Sequence, residues 1–141
     1  MSRVREIVNG RELFFAGEHQ SVAEVAHQMS ELHVGAIVVL NGDALRGIFS
    51  ERDLMKRVVL EGRDPKTTAV GQVMTTDVAS IDEMAPIEEA MESMQAHNCR
   101  HLPVLRASHV VAFLSMRDLM NYELARKTEE LHQMRAYIHG A

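Results

Sequence analysis

Two segments of this 141-residue chain carry polar side chains in an order that could do chemistry. They are Gly47-Ile48-Phe49-Ser50-Glu51-Arg52-Asp53 and Ala112-Phe113-Leu114-Ser115-Met116-Arg117-Asp118. In each, an apolar run gives way to a hydroxyl, a guanidinium and a carboxylate. If the apolar run is a buried strand and the serine opens a helix, the unpaired N–H groups of the first turn and their partial positive charge form an anion site. Ser50 and Ser115 would cap that helix or donate to a phosphate oxygen, and Arg52 and Arg117 would pair with the phosphate. Asp53 and Asp118 would repel a phosphate but accept hydrogen bonds from the two hydroxyls of a ribose, the role of the acidic residue in a dinucleotide fold. The same residues also spell an ordinary helix cap, with the acid favoured in the first turn by the macrodipole. One isolated copy reads more simply as a cap. Two copies with arginine in the same slot favour binding, although duplication preserves a cap as well.

Other clusters carry less. His97-x-Cys99-x-His101 has the types of a metal site, but zinc wants four ligands and no second cysteine exists to supply them. We expect no metal, and Cys99 reads as a small apolar residue. Glu88, Glu89 and Glu92 form a solvated acidic face. No Ser–His–Asp constellation can be assembled without geometry.

The elements that must position the two motifs come from an internal repeat. Shifting the sequence by 65 positions aligns Ser21–Met55 with Pro86–Met120 without a gap. Nine of the 35 pairs are identical, among them Met29/Met94, Val39/Val104, Ser50/Ser115, Arg52/Arg117 and Asp53/Asp118, where chance gives about two at average residue usage. Each copy reads in one order. An apolar stretch opens it (Glu12–Ala16, Val78–Ile81), followed by a helix on the apolar faces Val22-Val25-Met29 and Ile87-Ala90-Met94. Ser21 with Glu24 forms a capping box, and Pro86 suits a first helical turn. Ala36–Leu40 and Leu102–Leu105 are almost wholly apolar, as strands buried on both faces must be. Asn41-Gly42-Asp43 signals a tight turn into Leu45–Phe49. A second helix starts at Ser50 or Ser115. Such β-α-β-β-α repeats leave a sheet face uncovered, so we expect both copies to pack as one unit. Glu61–Val73 reads as a connecting loop with a short turn of helix.

Met116 to Ile138 contains no Gly or Pro, and Leu124, Leu131 and Ile138 lie seven apart. This predicts a long amphipathic helix that outruns the repeat, stops at Gly140, and packs on its own body or on a second copy.

Composition sets the outer bounds. Apolar residues make up 46% and charged residues 25%, ordinary for a globular domain. The formal net charge of −5 argues against nucleic acid as a partner. A single cysteine excludes an internal disulfide and suits a cytoplasmic setting. We expect no membrane span and no signal segment.

The Gly-apolar-apolar-Ser-x-x-Asp motif, the segment Arg100-His101-Leu102-Pro103-Val104 upstream of the second copy, and Val73-Met74-Thr75 together resemble the cystathionine-beta-synthase (CBS) domain pair, of the small stand-alone bacterial type. The resemblance covers Glu12 to about Tyr122. It implies an α/β (α+β) fold of tandem β-α-β-β-α repeats packed about a pseudo-twofold axis, with a long C-terminal helix. The repeats would be residues 12–62 and 75–122, joined by a linker at 63–74 and followed by an extension at 123–141. It also implies two ligand clefts. One would use Ser50, Arg52 and Asp53, with the base among Thr75, Val78, Leu102 and Pro103 and with Arg100 and His101 at the rim. The other would use Ser115, Arg117 and Asp118, with Val34, Gly35 and Ala36 lining the base pocket. The family's usual ligands are AMP, ADP, ATP, NAD and S-adenosylmethionine, held by a regulatory module without catalysis of its own that acts on a partner protein and is expected to be a homodimer. The departures are Ala112 in the place of Gly47, no counterpart of Pro103 in Ala36–Leu40, and Gly35-Ala36 in the places of Arg100-His101. On that basis the Ser50 cleft is expected to be the better equipped. The alternatives are a structural homodimerisation module with degenerate clefts and a sensor of S-adenosylmethionine.

Overall fold

Val22, Val25 and Met29 recur at helical spacing, and all three are buried along α2 (Val22–Leu32). Ser21 caps this helix, its Oγ accepting the Glu24 N–H at 3.1 Å. The helix ends at His33 in the left-handed region. In the computed structural model, which describes residues 2–140, the second copy repeats the arrangement. There α5 (Ile87–Ala96) buries Ile87, Ala90 and Met94. Asn98, 65 residues after His33, is also left-handed. Pro86 sits one place earlier than expected, as the N-cap rather than inside the first turn.

The sheets repeat as closely. Strand β2 (Ala36–Asn41) pairs in parallel with β1 (Phe15–Gly17) and antiparallel with β3 (Ala44–Ser50). Strand β5 (His101–Arg106) pairs in parallel with β4 (Ile81–Asp82) and antiparallel with β6 (His109–Ser115). Both hairpins slip register at the same place, between Val39 and Leu40 and between Val104 and Leu105. The opening strands start later than Glu12 and Val78, because the ladder to the neighbour begins only at Phe15 and Ile81.

Two short helices interlock the copies. α1 (Val4–Val8), which the sequence pattern did not signal, buries Val4 and Val8 in the second repeat's core with Ile81, Ile87, Met94 and Leu102. α4 (Val70–Val73) is the turn of helix expected before the second copy, and it buries Val70 and Val73 in the first repeat's core with Val22, Ile37 and Phe49. Each core is therefore closed by the helix that precedes the other repeat. Helices this short are unstable alone. Burial of each valine contributes about 1.5–3 kcal/mol, and backbone bonds such as Val4 N to Ala85 O (2.9 Å) and Val70 N to Gln20 O (2.8 Å) fix the seats. Strands β3 and β6 touch, so the two motif-bearing strand ends lie in one body.

Beyond Ser50 the chain forms α3 (Glu51–Asp53) and then a π-helical stretch, Leu54–Val59, which was not anticipated. Beyond Ser115 it forms α6 (Met116–Gly140), a regular helix that includes Gly140, the last described residue. Ala141, the last residue of the expected extension, lies outside the described residues. From Leu124 onward every described position of α6 is exposed.

Candidate functional site

Both motifs form the expected junction of buried strand and capped helix. At the second, Ser115 Oγ accepts the Asp118 N–H at 3.1 Å, and Asp118 Oδ2 accepts the Ser115 N–H at 2.9 Å. The same Oδ2 lies 3.0 Å from Nη1 of Arg11, a residue of the loop between α1 and β1. Burial alone would raise the Asp118 carboxyl. The Arg11 guanidinium, together with the Ser115 N–H and hydroxyl, outweighs this and holds it below the usual aspartate value.

Across the sheet, His101 stands opposite Ser115. Its ring stacks on Phe113 with centroids 5.0 Å apart. Desolvation pushes the imidazole down, against the pull of the Asp118 charge and with the help of Arg100. The Arg100 carbonyl accepts the Met116 N–H at 2.8 Å, which ties that residue to the first turn of α6. Arg117 is exposed.

The first motif is more closed. Asp53 Oδ2 accepts from the Ser50 N–H at 3.0 Å and the Ser50 hydroxyl at 3.1 Å. Its Oδ1 accepts from the Thr75 hydroxyl at 2.9 Å and lies 3.7 Å from Arg57 Nε. Asp53 is only 6% exposed. Arg57 is itself held by the Met74 carbonyl at 2.7 Å. The segment that carries Thr75 is pinned by two backbone bonds, Ile48 N to Thr75 O (2.9 Å) and Thr75 N to Ile48 O (2.8 Å). It passes directly over Gly47. A Cβ there would lie 2.5 Å from the Thr75 carbonyl oxygen, so only glycine allows the crossing. Arg52 is exposed.

The register also sorts the remaining residues. Ala36 stands opposite Ser50, and the Gly35 carbonyl accepts the Glu51 N–H at 3.0 Å. The resemblance placed Arg100 and His101 with Ser50, and Gly35 and Ala36 with Ser115. The hairpins set each pair beside the serine of its own repeat, because a strand and its antiparallel neighbour bring those positions face to face. Val34 packs against the first core, Leu102 lies within the second, and Pro103 is buried opposite Phe113. Val78 is half-buried.

Sequence reasoning missed two residues. Arg57 had a local signal, since it follows Asp53 by four positions on a helix. Arg11 had none, because its partner is brought near only by the fold.

Cys99 packs half-buried against the second core. His97 Nδ1 lies 2.9 Å from the Ser93 carbonyl oxygen. Among the described residues no group of three or more His, Cys, Asp and Glu is placed to hold a metal. No helix among them is long and apolar enough to cross a membrane.

Two interlocked β-α-β-β-α copies with paired Ser-x-Arg-Asp helix starts define a tandem pair of CBS domains. The chain belongs to the CBS-domain family, whose model matches residues 4–60 and again 70–125, beginning each time at the helix that closes the opposite core. It is 30% identical over 110 residues to CBS domain-containing protein YhcV of Bacillus subtilis, covering 78% of each. It is 30% identical over 125 residues (85% of this chain) to the mitochondrial CBS domain-containing protein CBSX3 of Arabidopsis thaliana, but spans only 61% of that protein. Among solved structures, a putative signal-transduction protein with CBS domains from Burkholderia ambifaria superposes with a TM-score of 0.83 at 30% identity, covering 88% of this chain and 95% of that one. A CBS domain protein from Pyrobaculum aerophilum complexed with AMP gives 0.75 at 26% identity, with 83% and 89% covered. Hypoxic Response Protein I with two coordinated zinc ions gives 0.76 at 27% identity, with 86% and 99% covered.

Proposed function

We propose that the chain is a regulatory module that binds an adenine nucleotide of the AMP or NAD type, with the Ser115–Asp118 side as its principal site. The observation that carries this reading is the company of the second helix start. Arg11 pairs there with the one carboxylate, Asp118, with Arg117 next to it in sequence and Arg100 acting on His101, whereas the first start carries Arg52 and Arg57 against two carboxylates, Glu51 and Asp53. A phosphate at the N-terminus of α6 would meet the positive end of the helix dipole and the Arg11 guanidinium together, although the Met116 and Asp118 N–H groups are already bonded to the Arg100 carbonyl and Ser115 Oγ. Asp118, 20% exposed at its side chain, is more open to a ribose than Asp53, which already accepts from Ser50 and Thr75. The AMP complex of the Pyrobaculum relative supports the choice of ligand. Thr75 and Val78 belong to the Ser50 side as a second, weaker site, and Val34, Gly35 and Ala36 line its rim.

The module acts on a partner protein, in a cytoplasmic setting that its single cysteine suits. It catalyses nothing itself. The exposed stripe of Leu124, Leu131 and Ile138 on α6 supports a homodimer. S-adenosylmethionine is disfavoured as ligand, because its sulfonium would face arginines. A thermal-shift panel of AMP, ATP, NAD and S-adenosylmethionine tests the reading. A phosphorylated ligand at a hundred times its Kd stabilises by about 2.7 kcal/mol, and Asp118→Asn should remove most of that gain while Asp53→Asn leaves it. No shift with any member at millimolar concentration would leave a structural dimerisation module as the answer.

A further inference from the structure

The two aspartates meet different chemistry from the segments that cross them. Asp53 receives Thr75, a neutral hydroxyl, from the segment entering the second repeat. Asp118 receives Arg11, a guanidinium, from the segment entering the first. The corresponding caps differ in the same sense, with Glu51 after Ser50 and Met116 after Ser115.

Arg11 also stands on an exposed turn. Asn9, Gly10, Arg11 and Glu12 are all exposed, the Arg11 side chain is 41% exposed, and Gly10 turns the chain at φ +80° with open space around it. An ion pair this exposed holds its partners weakly.

We infer that Arg11 sets the charge requirement of the Ser115–Asp118 site: it pairs with Asp118 in this structure and passes to the phosphate of an anionic nucleotide, so that the site discriminates against the uncharged nucleoside. This rests on the nucleotide reading above. A ribose diol that donates to a carboxylate needs its acceptor oxygens, and Arg11 occupies Oδ2. A nucleotide compensates by offering Arg11 a phosphate, which exchanges one charge-assisted pair for another of comparable or greater strength. A nucleoside offers nothing in return and must either share Asp118 or leave Arg11 unpaired. The Ser50 site has Thr75 in the crossing position, and the arginine near its aspartate, Arg57, is held by the Met74 carbonyl.

The test is calorimetry of AMP and adenosine with wild type, Arg11→Gln and Arg11→Lys. Amide NMR of Ser115 and Asp118, against Ser50 and Asp53, locates each ligand. Wild type is expected to prefer AMP over adenosine, and Arg11→Gln to reduce that preference roughly tenfold, the scale of one charge-assisted hydrogen bond. Adenosine should bind Arg11→Gln as well as wild type or better, because Asp118 is released. Arg11→Lys, which keeps the charge, should hold a preference between the two. An unchanged AMP-to-adenosine ratio in Arg11→Gln, or AMP perturbing only the Ser50 and Asp53 amides, overturns the role of Arg11 while leaving nucleotide binding intact. Failure of wild type to bind either ligand overturns the nucleotide reading, and this inference with it.

Discussion

Replacing Gly47 with alanine tests how the first helix start is closed. The new Cβ would sit 2.5 Å from the Thr75 carbonyl oxygen and 2.9 Å from Met74 Sδ. The carbonyl is backbone and cannot rotate away. The crossing segment must lift, breaking the two bonds between Ile48 and Thr75. Two backbone hydrogen bonds contribute about 1–3 kcal/mol together, and overpacking beside the buried Met74 adds about 1–3 kcal/mol where it is not relieved. The expected loss is therefore about 2–6 kcal/mol, or roughly 10–20 °C in Tm for a chain of this size. The reciprocal change, Ala112→Gly, removes one methyl from the second core without freeing any crossing strand, and should cost about 1–2 kcal/mol. Urea denaturation of both variants, with the slope m checked for constancy, gives the comparison. A Gly47→Ala protein within about 0.5 kcal/mol of wild type would refute the argument that glycine is there for the crossing.

Three further outcomes follow from the site and the long helix. His101 should titrate below its ordinary value of 6.5, as followed by NMR of its ring protons. Because the fold favours the neutral ring, the stability linked to it is present above the unfolded value and falls as pH drops through the folded one. Asp118 is held below its ordinary 3.8 despite its burial, so its contribution is present above that value and lost as pH falls through the folded pKa. Arg11→Gln should then unfold at a higher pH than wild type in an acid titration followed by circular dichroism. Truncation after Lys127 removes, among the described residues, only exposed ones. It should leave the melting temperature nearly unchanged and abolish self-association in sedimentation velocity.

Much of this architecture was legible because duplication writes it twice. The 65-residue shift located both helices, both hairpins and both helix starts. The structure repeats even details that no pattern announced, such as the matching register slips and the left-handed His33 and Asn98. What escaped was whatever depends on one segment crossing another. α1 is only five residues long, too short to show a helical period, and its burial is decided by a core built from residues far along the chain. The position of His101 beside Ser115 was hidden for a related reason. A motif names residue types, but only the hairpin register decides that His101 faces Ser115. The π-helical stretch after Asp53 has no sequence signature that distinguishes it from its regular counterpart in α6.

The crossings also account for how two nearly identical repeats come to offer unequal sites. Strand register and bulges are local to each repeat, and they have stayed alike. The segments that enter the repeats are local to neither, since each packs on the other's core, and there the copies diverge. One brings Thr75 to a buried aspartate over a glycine; the other brings Arg11 to a half-buried one. Gly47 is thus explained by the segment that passes over it rather than by a ligand. Thr75 completes the hydrogen bonding of Asp53 without adding charge, whereas Arg11 completes that of Asp118 with a charge an anion can compete for. Exchange of the crossing residues is therefore the sharpest test of where the asymmetry resides. Arg11→Thr should make the second site indifferent to phosphate, as measured by the AMP-to-adenosine ratio at the Asp118 amide. A ratio left as in wild type would place the asymmetry in Arg100 and Arg117 instead.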